Sequence, residues 1–159
     1  MRNRTMEQVE IVQQLEKRDE NQILSSMKGE VVKEWVYQIK GPTGMITQLS
    51  YAGVKEAIRR RGNIGWKPCP HCNQMVHIEE NDKEIRATVY ALDYQTNTAF
   101  LGAAEADKGR PFAFRLAVNK AERNALRKFL PEKAIALLIQ EYLRGLDSKA
   151  PSVTPGKLA

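Results

Sequence analysis

Residues 111–131 read PFAFRLAVNKAERNALRKFLP. Phe114, Val118, Ala121, Ala125 and Phe129 recur at steps of four, three, four and four. A helix turns about 100° per residue, so these side chains stack into one apolar stripe. Lys120, Arg123 and Arg127 fall on a different face. The pattern predicts a helix that covers a sheet with its stripe and turns its cations outward or sideways, beside something negative.

The elements around this helix set the fold class. Residues 6–27 carry a broken helical period, and Gly29 ends it. Residues 31–40 read as a strand with Val31, Trp35, Tyr37 and Ile39 on one parity. A Gly-Pro-Thr-Gly turn at 41–44 leads into a short returning strand at 45–48. Ser50 is a suitable N-cap for a helix over 51–61, closed by Gly62. An extended zone includes 75–78. Residues 84–93 alternate strictly, with Ile85, Ala87, Val89 and Ala91 on one side, and 99–104 form a further short strand. Pro131 opens a last helix to 144 with a stripe of Ile135, Leu138, Ile139 and Tyr142. The class is α+β: an antiparallel hairpin and meander with helices packed on one face, a β-β-β-α-like core. The expected division is an N-terminal helix over 1–29, one α+β nucleic-acid-binding domain over 30–145, and a disordered tail rich in Pro, Ser, Gly and Lys over 146–159.

The chain has 159 residues and a net charge of +6. The positive charge is gathered in two blocks. Residues 53–68 hold Lys55, Arg59, Arg60, Arg61 and Lys67 against Glu56. Residues 109–144 hold eight cations, Arg115 among them, against three glutamates, and the remainder of the chain is acidic. Two such blocks are the footprint of a polyanion site. No run has the roughly 18 apolar residues of a membrane span, and the N-terminus lacks a signal-peptide centre, so a cytoplasmic location is expected.

Cys69-Pro70-His71-Cys72 admits three chemistries. A redox pair requires its first thiolate at a helix N-terminus after a strand, whereas turn and strand residues follow here. A zinc half-site would use Cys69 and Cys72 with His77 or His71 as third ligand, leaving a fourth to be found. Two reduced thiols in a turn with no ligand role is the reading the spacing favours. There is no P-loop, dinucleotide fingerprint or HExxH, so no ATP-driven or other enzymatic activity and no required cofactor is expected. Among the aromatics, Tyr51 lies next to the first basic block and is the stacking candidate for unpaired bases.

The landmarks WVYQIKG at 35–41, YAGVKEAIRRRGNIGW at 51–66, ATVYALDYQTNTAFLGAAEADKG at 87–109 and KAERNALRKFLP at 120–131, taken in order, resemble the DNA-annealing domain of the Rad-fifty-two type and its phage and prokaryotic relatives. The resemblance implies binding of single-stranded DNA along a basic groove, ATP-independent annealing in homologous recombination and repair, assembly into homo-oligomeric rings and contact with recombination partner proteins. The family's groove cations match Arg123 and Arg127. A neighbouring family cation falls on Asn124, another falls near 50–52 where this chain has none, and the Cys-x-x-Cys has no counterpart. The nucleic-acid contacts expected are Arg123, Arg127, Lys120, Arg115, Lys55, Arg59, Arg60 and Tyr51. The alternatives are a zinc-stabilised nucleic-acid adaptor with Cys69, Cys72 and His77 as ligands, a thiol-disulfide oxidoreductase using Cys69, and a module whose basic faces meet acidic proteins.

Overall fold

A computed structural model describes residues 2–147. The expected tail lies, from residue 148 on, outside the described residues. Element order is α1 (Arg2–Met27), β1 (Val36–Gly41), β2 (Gly44–Leu49), α2 (Tyr51–Arg61), β3 (Ile64–Lys67), β4 (Val76–Glu80), β5 (Glu84–Asp93), β6 (Thr98–Asp107), α3 (Ala113–Arg127) and α4 (Glu132–Asp147). The chain is α+β with antiparallel sheets. It forms two compact units, one of residues up to Gly53 with those from Glu132 onward, the other Val54–Pro131.

In the first unit β1 and β2 form a hairpin closed at Gly41↔Gly44. The N-terminal helix does not stand apart as a separate region. Polar groups of α1 bind the chain around the hairpin: the Asp19 carboxylate accepts from the Tyr51 backbone N–H at 2.8 Å, and the Gln22 side chain donates to the Glu34 carbonyl at 2.8 Å. Ser50 has no exposed surface, and its Oγ accepts from the Gly53 N–H at 3.0 Å, which is the N-cap bond expected from sequence. The strand expected at 31–40 begins only at Val36. Val31 is exposed, and adjacent Val36 and Tyr37 are both buried rather than alternating. Trp35, just outside the strand, instead lends its carbonyl to the Ser50 N–H at 2.9 Å.

The second unit is built on β5. β6 pairs along one edge of it through all ten rungs from Glu84↔Asp107 to Asp93↔Thr98. β3 and β4 share the other edge end to end, with Lys67↔Tyr90 and Val76↔Val89 as successive rungs. They are one edge strand interrupted by residues 68–75. Sequence patterning missed β3 because four residues are too few to show a period.

Helix α3 lies across β5 and β6. Its Ala117, Ala121 and Ala125, each fully buried, meet a floor of Ala87, Val89 and Ala91 from β5 and Gly102, Ala104 and Ala106 from β6. Small residues on both sides allow close approach. A Cβ at Gly102 would overlap the Ala121 carbonyl and the Ala125 backbone nitrogen. The helix is rotated from its expected orientation: Phe114 is exposed and Val118 only half-buried, while Leu116 and Leu126 join the alanines inside. Of the expected stripe, Ala121, Ala125 and Phe129 remain buried, the last with its ring 4.8 Å from that of Phe100.

Gly102→Val should force α3 off the sheet at a cost of about 1–3 kcal/mol or more. Chemical denaturation should show the drop in midpoint, and Gly109→Ala, where a Cβ meets only the Asp107 side chain, serves as the mild comparison.

Candidate functional site

The cations of α3 have a structural partner. The free edge of β6 presents the carbonyls of Leu101, Ala103 and Glu105, which a bare edge would leave open to another strand. Lys120 donates to the Glu105 carbonyl at 2.8 Å, Asn124 to that of Ala103 at 2.8 Å, and Lys128 to that of Leu101 at 2.5 Å. Residues four apart share a helix face, and alternate carbonyls share a strand edge, so the two series match. The Asn124 carboxamide oxygen also accepts from Nε and an Nη of Arg123 at 3.0 and 2.8 Å. Lys120 and Arg123 are consequently only 7% and 5% exposed. Of the outward or sideways orientations expected for these two, the outward one is corrected: the alanine stripe sinks α3 so far that its polar face closes over the sheet edge. Arg127 is half-buried, whereas Arg115 is exposed. Tyr51, expected as a stacking platform, is 5% exposed. It lies in the first turn of α2, where Asp19 holds the backbone.

The first basic block is more accessible. Lys55 and Arg59, one turn apart on α2, line an open cleft of about 270 Å³ with Ile58, Ile64 and Trp66 as walls and Leu126 of α3 at its side. Ile64 and Trp66 are alternate residues of β3 and so project from one face of the strand. Glu56 pairs with Arg59 at 2.6 Å and with Arg60 at 2.7 Å. These bonds hold its carboxyl down to about 2, the Arg59 bond first, against the opposing effect of burial. Both guanidinium groups nevertheless keep substantial solvent exposure, 71% and 41% of their side chains. Burial raises the Glu122 carboxyl, and nearby Lys55 partly offsets this. Arg61 belongs elsewhere: it pairs with buried Asp93 at the end of β5 at 2.7 Å, lowering that carboxyl. Of the three consecutive arginines, Arg59 and Arg60 thus converge on Glu56, and Arg61 alone turns away to Asp93.

The second candidate lies in the break between β3 and β4. The Cys69 N–H donates to the Gln74 carbonyl and the Asn73 N–H to the Cys69 carbonyl, both at 2.8 Å. Asn73 turns the chain at φ 58°, a left-handed conformation asparagine tolerates better than most residues. The His71 N–H points at Cys69 Sγ at 3.4 Å. Backbone donation from Cys72, with further help from His71, lowers the Cys69 thiol, although burial acts the other way. His77, on β4 opposite Thr88, brings Nδ1 to 3.3 Å from Cys72 Sγ. The ligand atoms of Cys69, Cys72 and His77 all lie within 4.8 Å of one another, so the three can hold a metal ion. Around a tetrahedral zinc with bonds of about 2.0–2.3 Å, ligand atoms stand roughly 3.5–3.8 Å apart, so a small inward shift brings these three to bonding distance and leaves a fourth position open. His71 is exposed and outside the cluster, which resolves the third ligand in favour of His77. Residues 70–72 form a turn rather than a helix start, so the geometry that activates a redox thiolate at a helix N-terminus is missing here.

Comparison with known proteins finds a relative in Methanocaldococcus jannaschii, an uncharacterized protein 31% identical over 97 residues. The match covers 58% of this chain and 38% of the relative, so the chain spans well under half of the relative's length. No protein-family model matches. Among the described residues no helix is long and apolar enough to cross a membrane.

Two outcomes follow. Lys120→Ala should lower stability by about 1–3 kcal/mol, since the Glu105 carbonyl loses a charged donor, and thermal denaturation will show this as a lower Tm. Glu56 is depressed on folding from its ordinary 4.5 to about 2, so its ion pairs contribute fully above the upper value and their contribution is lost as pH falls through the lower one. Glu56→Gln should therefore flatten the stability profile across that window; identical acid profiles would discount the pairing.

Proposed function

We propose that the protein binds single-stranded DNA and anneals complementary strands without ATP. The cleft between α2 and β3 carries the reading. It combines the two things an unpaired strand requires, cations for the phosphates and an aromatic wall against which a base can stack. Lys55 and Arg59 supply the first, Trp66 the second, and exposed Arg60 extends the cationic rim. The resemblance of the landmark order to the Rad-fifty-two type supports annealing and ring assembly as the activity built on this contact. In such a ring the α2 cations of successive copies would form a continuous track. DNA recombination and repair is the setting this implies, with recombination proteins as partners.

The proximity of two thiols and an imidazole favours a second reading that is compatible with the first, a zinc-stabilised nucleic-acid-binding protein. Sulfur and imidazole donors select zinc over oxygen-seeking ions such as magnesium or calcium. Zinc at Cys69, Cys72 and His77, with a water or an outside group as fourth ligand, would be structural.

Binding should fall with rising salt, because each neutralised phosphate releases counterions. Lys55→Ala with Arg59→Ala should weaken oligo(dT) binding at low salt by roughly tenfold or more and make the salt dependence shallower. Trp66→Ala should cost about 1–3 kcal/mol of binding, the worth of one stacked base. Fluorescence anisotropy titrations measure all three quantities. Full affinity in folded variants would place the binding surface elsewhere.

A further inference from the structure

The thiol–imidazole cluster and the cleft are joined by a very short piece of chain. Trp66 is on β3, Lys67 ends the strand, and Cys69 follows after Pro68. Lys67 and Val76 face successive residues of β5, Tyr90 and Val89. Residues 68–75 are therefore an excursion leaving the sheet edge and returning to it at almost the same point. Two of the three ligands, Cys69 and Cys72, sit on the excursion. The third, His77, is in the ladder of β4. An ion bound by all three ties the excursion to the strand that continues it.

The excursion is closed on itself by backbone bonds between Cys69 and its neighbours Asn73 and Gln74, bonds internal to the loop. They do not fasten the loop to β4. Loop and strand are joined through His77 Nδ1, 3.3 Å from Cys72 Sγ, a member of the metal cluster itself. β3 is only four residues long and lies at an edge, so its C-terminal end depends on what holds the chain immediately after it.

We propose that a zinc ion held by Cys69, Cys72 and His77 clamps this break in the sheet edge and thereby fixes Trp66 in the cleft, making nucleic-acid affinity dependent on metal occupancy. The consequence for affinity rests on the nucleic-acid reading given above; the clamp itself does not.

Fluorotryptophan NMR of the full chain separates the two halves of the proposal. The protein has two tryptophans, Trp35 and Trp66, and Trp66→Phe assigns the signals. Adding zinc alone to metal-free protein should shift or sharpen the Trp66 signal, leave Trp35 unchanged and saturate at one equivalent. The same addition should tighten oligo(dT) binding roughly tenfold, the scale of one well-placed stacked base. Cys72→Ser should abolish both responses, and His77→Ala provides a second test should the serine variant fold poorly. Zinc that binds without moving the Trp66 signal, or no zinc binding, overturns the clamp. Equal oligo(dT) affinity with and without zinc overturns metal dependence. A Trp66 signal that responds to zinc in a protein that binds no oligonucleotide sinks the nucleic-acid reading and leaves the clamp standing.

Discussion

The close seat of α3 on β6 constrains most of the second unit. Alanines at 117, 121 and 125 and a glycine at 102 bring the two backbones together. At that separation the side chains beside the alanines no longer reach solvent. They reach the strand edge, where Lys120, Asn124 and Lys128 satisfy three successive outward carbonyls. A ten-residue edge that would otherwise invite another strand is thereby covered. Lysine is a common guard of strand edges, and here Lys120 and Lys128 serve that end with Asn124 between them.

That constraint explains which parts of the structure were legible from residues alone. β5 was readable end to end because one of its faces is buried and its alternation is strict. α2 was readable because Ser50 and Gly62 mark both of its ends. The α+β class followed from the order of such segments. The rotation of α3 was not legible. Phe114 and Val118 are the more hydrophobic choices for an inward stripe, yet over Gly102 and Ala104 the helix seats alanines, with Leu116 and Leu126 buried beside them. The burial of Lys120 and Arg123 follows from the same misfit, since a cation's role as an edge donor depends on a strand distant in sequence. β3 escaped notice because its pairing, not its composition, makes it a strand.

The candidate site was partly legible. Lys55, Arg59 and Arg60 stood out as a charge block, but Trp66 was one aromatic among several until β3 placed it beside Ile64 on the wall of the cleft. Cys69, Cys72 and His77 were named as a ligand set from sequence, and the ladder of β4 against β5 is what brings His77 beside the two cysteines. The two features meet in a few residues of chain. On the proposed reading, one small cationic cleft with a single aromatic wall would bind modestly, and repetition around a ring would multiply that.

The central claim is that α2 and β3, not the polar face of α3, meet the nucleic acid. Hydrogen exchange of the full chain with and without saturating oligo(dT) tests this most directly. Added protection is expected over residues 55–66, with the segment 120–127 exchanging as in the free protein. Protection confined to 120–127, with 55–66 exchanging as in the free protein, would contradict it.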